Sequence, residues 1–183
     1  MRIALVSAAL AAMCFGGGAQ AATTVLGNGL ASVCSQAAKA GDDNLSSMEV
    51  CTLALETEAM SRRDRAGTFV NRGVIKMRRQ EYAAAQTDFN TAIRLQPEMG
   101  EAYINRGGSL VGQQRYMEAL MDIDRGLTLS PEEPEKAYYN RGLANEGLDD
   151  VKAAYFDYLR ALELKPDWDI PKRELTRFSV RTR

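Results

Sequence analysis

Between residues 66 and 166, apolar and small residues recur at the spacing of amphipathic helices. Phe69, Gly73 and Met77 fall on one helical stripe, and Ala85, Phe89, Ala92 and Ile93 on a second. Gln80-Glu81 separates the two stripes, and Pro97 ends the second, because the residue before a proline avoids the α region. The pattern predicts a helical hairpin, and the hairpin then repeats. Asn-Arg-Gly occurs at 71–73, 105–107 and 140–142, with spacings of 34 and 35. A leucine stands two residues before a proline at Leu95/Pro97, Leu129/Pro131 and Leu164/Pro166. Between these marks come Tyr82, Tyr116 and Val151, then Ala85, Ala119 and Ala154, then Asp88, Asp122 and Asp157, each followed by Phe89, Ile123 or Tyr158. Recurrence at such a period is the signature of stacked helical units. The glycine of each Asn-Arg-Gly lies inside a helical stripe, where it costs about 1 kcal/mol relative to alanine. Its return in every unit points to close helix packing.

The chain before the repeats has a different character. Met1 and Arg2 precede an apolar run from Ile3 to Phe15, which Gly16–Gly18 break, and Ala19-Gln20-Ala21 follows. That order predicts a secretory signal peptide over residues 1–21, cleaved after Ala21. The run is shorter than the roughly 18 residues that a spanning helix needs, so no transmembrane segment is expected; a retained membrane anchor is the other reading. Met13 before Cys14 does not fit a lipid-attachment site. The expected destination is the bacterial periplasm or the exterior. Cleavage removes one of the three cysteines. The remaining pair, Cys34 and Cys51, is expected to form a disulfide in an oxidising compartment, with two buried thiols as the alternative.

Composition narrows the chemistry. The 183 residues are 45% hydrophobic and 26% charged, which is globular, and the net charge of −1 gives no footprint for nucleic acid. Histidine is absent from the whole sequence. This removes Ser-His-Asp and Cys-His hydrolases and histidine-ligated metal sites. A phosphate-binding glycine loop and a Gly-x-Ser-x-Gly elbow are also missing from the sequence. The expectation is a protein with no catalytic site, no metal and no cofactor.

The repeats resemble the tetratricopeptide repeat family. If units start at Ala66, Gly100 and Glu135, the family's large residue at position 4 is Phe69, Tyr103 and Tyr138, and its small residue at 8 is Gly73, Gly107 and Gly142. Position 17 is Tyr82, Tyr116 and Val151; position 20 is Ala85, Ala119 and Ala154; position 27 is Ala92, Gly126 and Ala161; position 32 is proline. The resemblance implies an all-α solenoid of antiparallel helix hairpins, with units at 66–99, 100–134 and 135–166. Two positions depart from the family. Position 7, usually leucine, is Arg72, Arg106 and Arg141, and position 11, usually bulky, is Lys76, Leu110 and Asn145. The polar residues at position 11 predict looser packing in the first and third units. Each arginine needs a partner, since a lone buried charge is expensive. Asp88, Asp122 and Asp157 at position 23 are the natural ones, as structural ion pairs.

In the same register Cys34 falls on position 7 and Cys51 on position 24, so residues 22–65 read as a degenerate first hairpin locked by a disulfide. Residues 167–183 read as a C-terminal capping helix. Trp168, Leu175 and Phe178 would cover the last unit, on a helix from about Ile170 to Val180. Lys172, Arg173, Arg177, Arg181 and Arg183 would form a basic outer face, either simply solvated or a docking patch. In the family, ligand contacts lie on the first helix of each unit. Here that helix offers Asn71, Asn105 and Asn140 at position 6, beside the apolar Val70, Ile104 and Tyr139 at position 5. Three asparagines at one address either hydrogen-bond the backbone of an extended peptide or bridge neighbouring repeats. The family's carboxylate clamp is not matched. The expected function is a non-enzymatic scaffold or adaptor that binds a protein or peptide partner in the concave groove. A self-assembling envelope protein that associates through its end caps is the alternative.

Thiol titration of the denatured protein without reductant checks the cysteine pairing. The processed chain is expected to show no reactive thiol, and two would refute the bridge.

Overall fold

Local chemistry sets the helix limits. Ser61 starts the first unit: its hydroxyl accepts from the Asp64 N–H at 3.1 Å and donates to the Asp64 carboxylate at 2.6 Å. The helix it caps therefore begins at Arg62, ahead of the expected repeat boundary at Ala66. Pro134 sits in the first turn of the corresponding helix of the third unit, where its missing N–H is not needed. The computed structural model describes residues 2–5, 19–25 and 29–181. Most of the apolar run of the expected signal peptide, with Met13 and Cys14, lies outside the described residues.

Among the described residues the chain is an all-α stack of hairpins. A first hairpin, α1 (Leu30–Ala40) and α2 (Leu45–Thr57), precedes three repeats. These are α3 (Arg62–Arg78) with α4 (Tyr82–Leu95), α5 (Gly100–Gly112) with α6 (Tyr116–Thr128), and α7 (Pro134–Gly147) with α8 (Val151–Leu164). A short α9 (Asp169–Leu175) follows. Each helix packs on its hairpin partner and on the next unit, and α3, α5 and α7 also touch in succession, forming one layer. Cys34 and Cys51 are bonded, with an S–S distance of 2.06 Å, and join α1 to α2. Closing a loop with a sequence separation of 17 contributes about 3 kcal/mol through the unfolded state.

The core repeats with the sequence. Phe89, Ile123 and Tyr158 are fully buried, each lying over the glycine of its own unit. A Cβ on Gly107 would lie 2.5 Å from Ile123 Cγ1 and 3.1 Å from the Ala119 carbonyl oxygen. The glycine is therefore what lets α5 and α6 approach. The turns between the helices of each unit also repeat. Gln80, Gln114 and Asp149 all adopt left-handed backbone, with φ of 61°, 60° and 61°. This conformation costs a non-glycine residue roughly 1–2 kcal/mol.

The ion pairs join more than the two helices of a hairpin. Arg72 donates to both oxygens of Asp88 at 2.9 and 2.7 Å, and Arg106 to both oxygens of Asp122 at 2.6 Å. Arg141 reaches Asp157 at 2.7 Å. Each guanidinium also reaches back to the preceding hairpin: Arg72 to Thr52 at 3.1 Å, Arg106 to Asn90 at 2.7 Å, Arg141 to Asp124 at 2.8 Å. Each also lies over the aromatic ring at position 4, Phe69, Tyr103 or Tyr138. Burial works against the charge of Arg141, but its hydrogen bonds to the Asp157 and Asp124 carboxylates outweigh it and hold the guanidinium above its ordinary range. Asp122, led by its hydrogen bond, does the same for Arg106. Position 11 adds to these pairs in the first and third units. Lys76 pairs with Asp88 at 2.7 Å and Asn145 donates to Asp157 at 2.8 Å. These side chains extend the polar cluster.

The C-terminal end differs from the sequence reading. The expected capping helix stops at Leu175, and Phe178–Arg181 forms a strand, β2, antiparallel to β1 (Arg2–Leu5), with Ile3 opposite Val180. The Thr176 hydroxyl donates to the Arg173 carbonyl at 2.7 Å in the closing turn. Leaving the helix lets Phe178 pack against Tyr155 and Tyr158 at 5.7 and 6.0 Å, while Trp168 packs on Tyr139 at 5.2 Å. The cap residues do cover the last unit, but from a turn, a short helix and a strand. Arg177 leaves the expected basic face and binds Glu146 at 2.8 and 2.6 Å, where the Tyr158 hydroxyl also donates. Helical periodicity carries no information on a strand partner at the other end of the chain.

Two substitutions test this account by thermal or urea unfolding. Arg106→Leu should destabilise by about 3 kcal/mol, because it strands Asp122, and Arg106→Leu with Asp122→Leu should recover much of the loss. Gln114→Gly should stabilise by about 0.5–1 kcal/mol, the relieved backbone strain exceeding the added chain entropy.

Candidate functional site

The first helices of the three repeats place Asn71, Asn105 and Asn140 at equivalent positions on α3, α5 and α7, all fully buried. What buries them is an extended stretch of the chain itself, Ala19–Val25. The Thr23 N–H donates to Asn71 Oδ1 at 2.8 Å, and Asn71 Nδ2 donates to the Thr23 carbonyl at 2.8 Å. One unit on, the Ala21 N–H donates to Asn105 Oδ1 at 3.0 Å, and Asn105 Nδ2 returns a bond to the Ala21 carbonyl at 2.8 Å. Asn140 Nδ2 donates to the Ala19 carbonyl at 2.9 Å.

The geometry follows from two regular spacings. In an extended chain the N–H and C=O of one residue point to the same side, and alternate residues face the same way. An asparagine amide offers one acceptor and a donor side by side, so it pairs with both groups of one residue as a neighbouring strand would. Two residues of strand advance about 6.6 Å, and the layer of first helices presents one asparagine per such step. The bound stretch runs from the third repeat toward the first.

The stretch is enclosed on its sides. Ala21 is 0% exposed, and Ala22 and Val25 are also buried. Arg78 donates to the Gln20 side chain at 3.3 Å, Ser35 Oγ donates to the Thr23 carbonyl at 2.8 Å, and the Lys39 ammonium donates to the Thr24 hydroxyl. A cavity of about 400 Å³ remains beside Gln20 and Ala22, lined by Lys39, Arg78, Glu132, Glu133 and Lys136. A smaller one, about 190 Å³, lies beside Ala19, against Lys136, Lys165 and Trp168.

The apolar trio at position 5 lies in the hydrophobic clusters, where Ala22 of the bound stretch joins the cluster of Val70 and Ala19 packs against that of Tyr139. Val70 and Ile104 are fully buried in the hydrophobic clusters of their units, and Ile104 lies against Gly126 of α6. Tyr139 packs between Tyr158 and Trp168, and its burial pushes the phenol well above its ordinary range. Their place is the core. Sequence reasoning missed the residues that meet the asparagines from the other side. The alternation of Ala19, Ala21 and Thr23 is a signal for an extended strand, but the same residues also spell a cleavage site. Among the described residues no group of acidic or cysteine side chains could hold a metal ion, and no helix is long and apolar enough to cross a membrane.

Comparison with known proteins agrees with this fold. The family model described as tetratricopeptide repeat matches residues 135–167, the third unit. Among solved structures, the Arabidopsis OM64 TPR domain is similar at a TM-score of 0.59 and 23% identity, over 64% of this chain and 96% of that one. The second TPR domain of human RPAP3, in complex with the HSP70 peptide SGPTIEEVD, gives a TM-score of 0.56 at 23% identity over 63% and 96%. MamA 41-end from Desulfovibrio magneticus RS-1 gives 0.60 at 18% identity over 80% and 79%. No curated protein matches the sequence. The likenesses establish a tetratricopeptide-repeat solenoid.

Proposed function

We propose that this solenoid is a non-enzymatic interaction module that holds an extended peptide segment of a partner protein on the layer formed by α3, α5 and α7. One observation carries the reading. Asn71 and Asn105 each bind both backbone groups of a single residue in an extended chain, two residues apart. Backbone recognition of this kind supplies affinity with little demand on sequence, and the flanking pockets supply selection. The similarity to a domain solved with a bound peptide supports the same reading. The leader-like first residues and the Cys34–Cys51 bond support a periplasmic setting, where a disulfide persists. The self-assembly alternative draws on Trp168 and Phe178, and both pack onto the last unit. Nothing in their placement favours it over the groove.

Capture from cell-envelope extract tests the proposal, with the processed chain and a variant carrying Asn71→Ala, Asn105→Ala and Asn140→Ala as parallel baits. Partners should be retained by the first and lost from the second, with equal helical circular dichroism. If the same proteins bind both baits, the groove is not the binding surface.

A further inference from the structure

The groove is already filled, and the bound stretch divides at Ala21–Ala22 into two halves. Toward Val25 the bound stretch is well anchored. The Val25 N–H donates to Ser35 Oγ at 3.4 Å, Thr23 is bonded to both Asn71 and Ser35, and Val25 packs with Ala31 and Ala54 of the first hairpin. Toward Ala19, Asn105 binds both backbone groups of Ala21 and the Gln20 side chain accepts from Arg78. Asn140 gives one hydrogen bond to Ala19, and its own Oδ1 is buried without a partner. The cavity beside Ala19 lies at this end. The cleavage expected from Ala19-Gln20-Ala21 falls between the two halves.

We propose that residues 19–21 fill the Asn105 and Asn140 sites only in the uncut chain, and that cleavage after Ala21 leaves those sites to an extended segment of another polypeptide with small side chains on alternate residues. This rests on the groove reading above and names the chemistry of the occupant. The Ala21–Ala22 bond is buried in the folded chain, so a peptidase reaches it only before the groove closes. A chain cut during export then folds with Thr23 still on Asn71 and with the Asn105 and Asn140 amides opened to water by the loss of residues 19–21. An incoming strand exchanges that water for backbone groups at both amides, the pairing that residues 19–21 make in the uncut chain. The side-chain requirement comes from Ala21: at 0% exposure its pocket has no space for a larger residue. The polarity is that of the present occupant, from the third repeat toward the first.

Trp168 is the only tryptophan of the chain and lines the cavity beside Ala19, so its fluorescence reads occupancy. The probe is a synthetic peptide of residues 16–21, Gly-Gly-Gly-Ala-Gln-Ala, titrated into the full chain and into the chain beginning at Ala22. The cut chain should bind at least about tenfold more tightly, because the tethered segment of the full chain competes at high effective concentration. A peptide carrying Ala21→Leu should lose that binding, and Asn105→Ala in the cut chain should weaken it by about tenfold, the worth of one well-made polar contact. Circular dichroism of both forms checks that they are folded. Equal binding by the two forms, weakened in each by Asn105→Ala, would overturn the in-chain occupancy and leave the groove intact. No binding by either form would overturn this proposal, and the capture experiment would then decide the groove reading separately.

Discussion

The stack depends on a charge that each repeat places between its own hairpin and the one before. Arg72, Arg106 and Arg141 each bind an aspartate of their own hairpin, reach a polar side chain on the preceding one and lie over an aromatic ring. A leucine at that position would bury more apolar area but would not choose a direction. The planar guanidinium has donors on several edges, so it sets distance and orientation to two neighbours at once. The first hairpin has no such charge. Its equivalent position is Cys34, and the covalent bond to Cys51 replaces the ion pair. That substitution suits a terminal unit, which has a neighbour on one side only and so gains less from packing.

The recurring Asn-Arg-Gly triplet is three assignments in a row. Successive residues of a helix point about 100° apart, so three consecutive side chains meet three different surroundings. The asparagine faces the bound strand. The arginine faces the second helices of its own and the preceding unit. The glycine faces the second helix of its own unit, where Phe89, Ile123 or Tyr158 lies over the bare Cα. The groove and the stack are thus built from adjacent residues, and the ion pair that orients each hairpin also sets the asparagine beside it. This explains how the three amides keep step with an extended chain: the repeat that spaces the helices spaces the ligands.

Much of this was legible because the determinants are local or periodic. Helical spacing, the proline stops and the 34–35-residue period carried the hairpins, and the shared register carried the pairing of arginine with aspartate and of Cys34 with Cys51. Other placements needed the packed helices. Lys76 and Asn145 looked like poor core residues, yet each lies one turn beyond its arginine and joins the same aspartate. Val70, Ile104 and Tyr139 lie in the core, in clusters that Ala22 and Ala19 of the bound stretch partly complete. Arg177 read as part of a solvated face until the turn after Leu175 aimed it at Glu146.

By itself the sequence determined the repeating unit, its handful of special residues and the shape of an asparagine site that suits an extended backbone, because each is written in spacing along a single helix or hairpin. Only the tertiary structure decided what fills that site and how the solenoid is closed. Ala19–Val25 has no periodicity that points to α3, α5 and α7, and Phe178–Arg181 finds its strand partner at Arg2–Leu5. Pairings across such separations are selected by shape and by the cost of leaving buried amides unpaired. Those terms exist only once the helices have stacked.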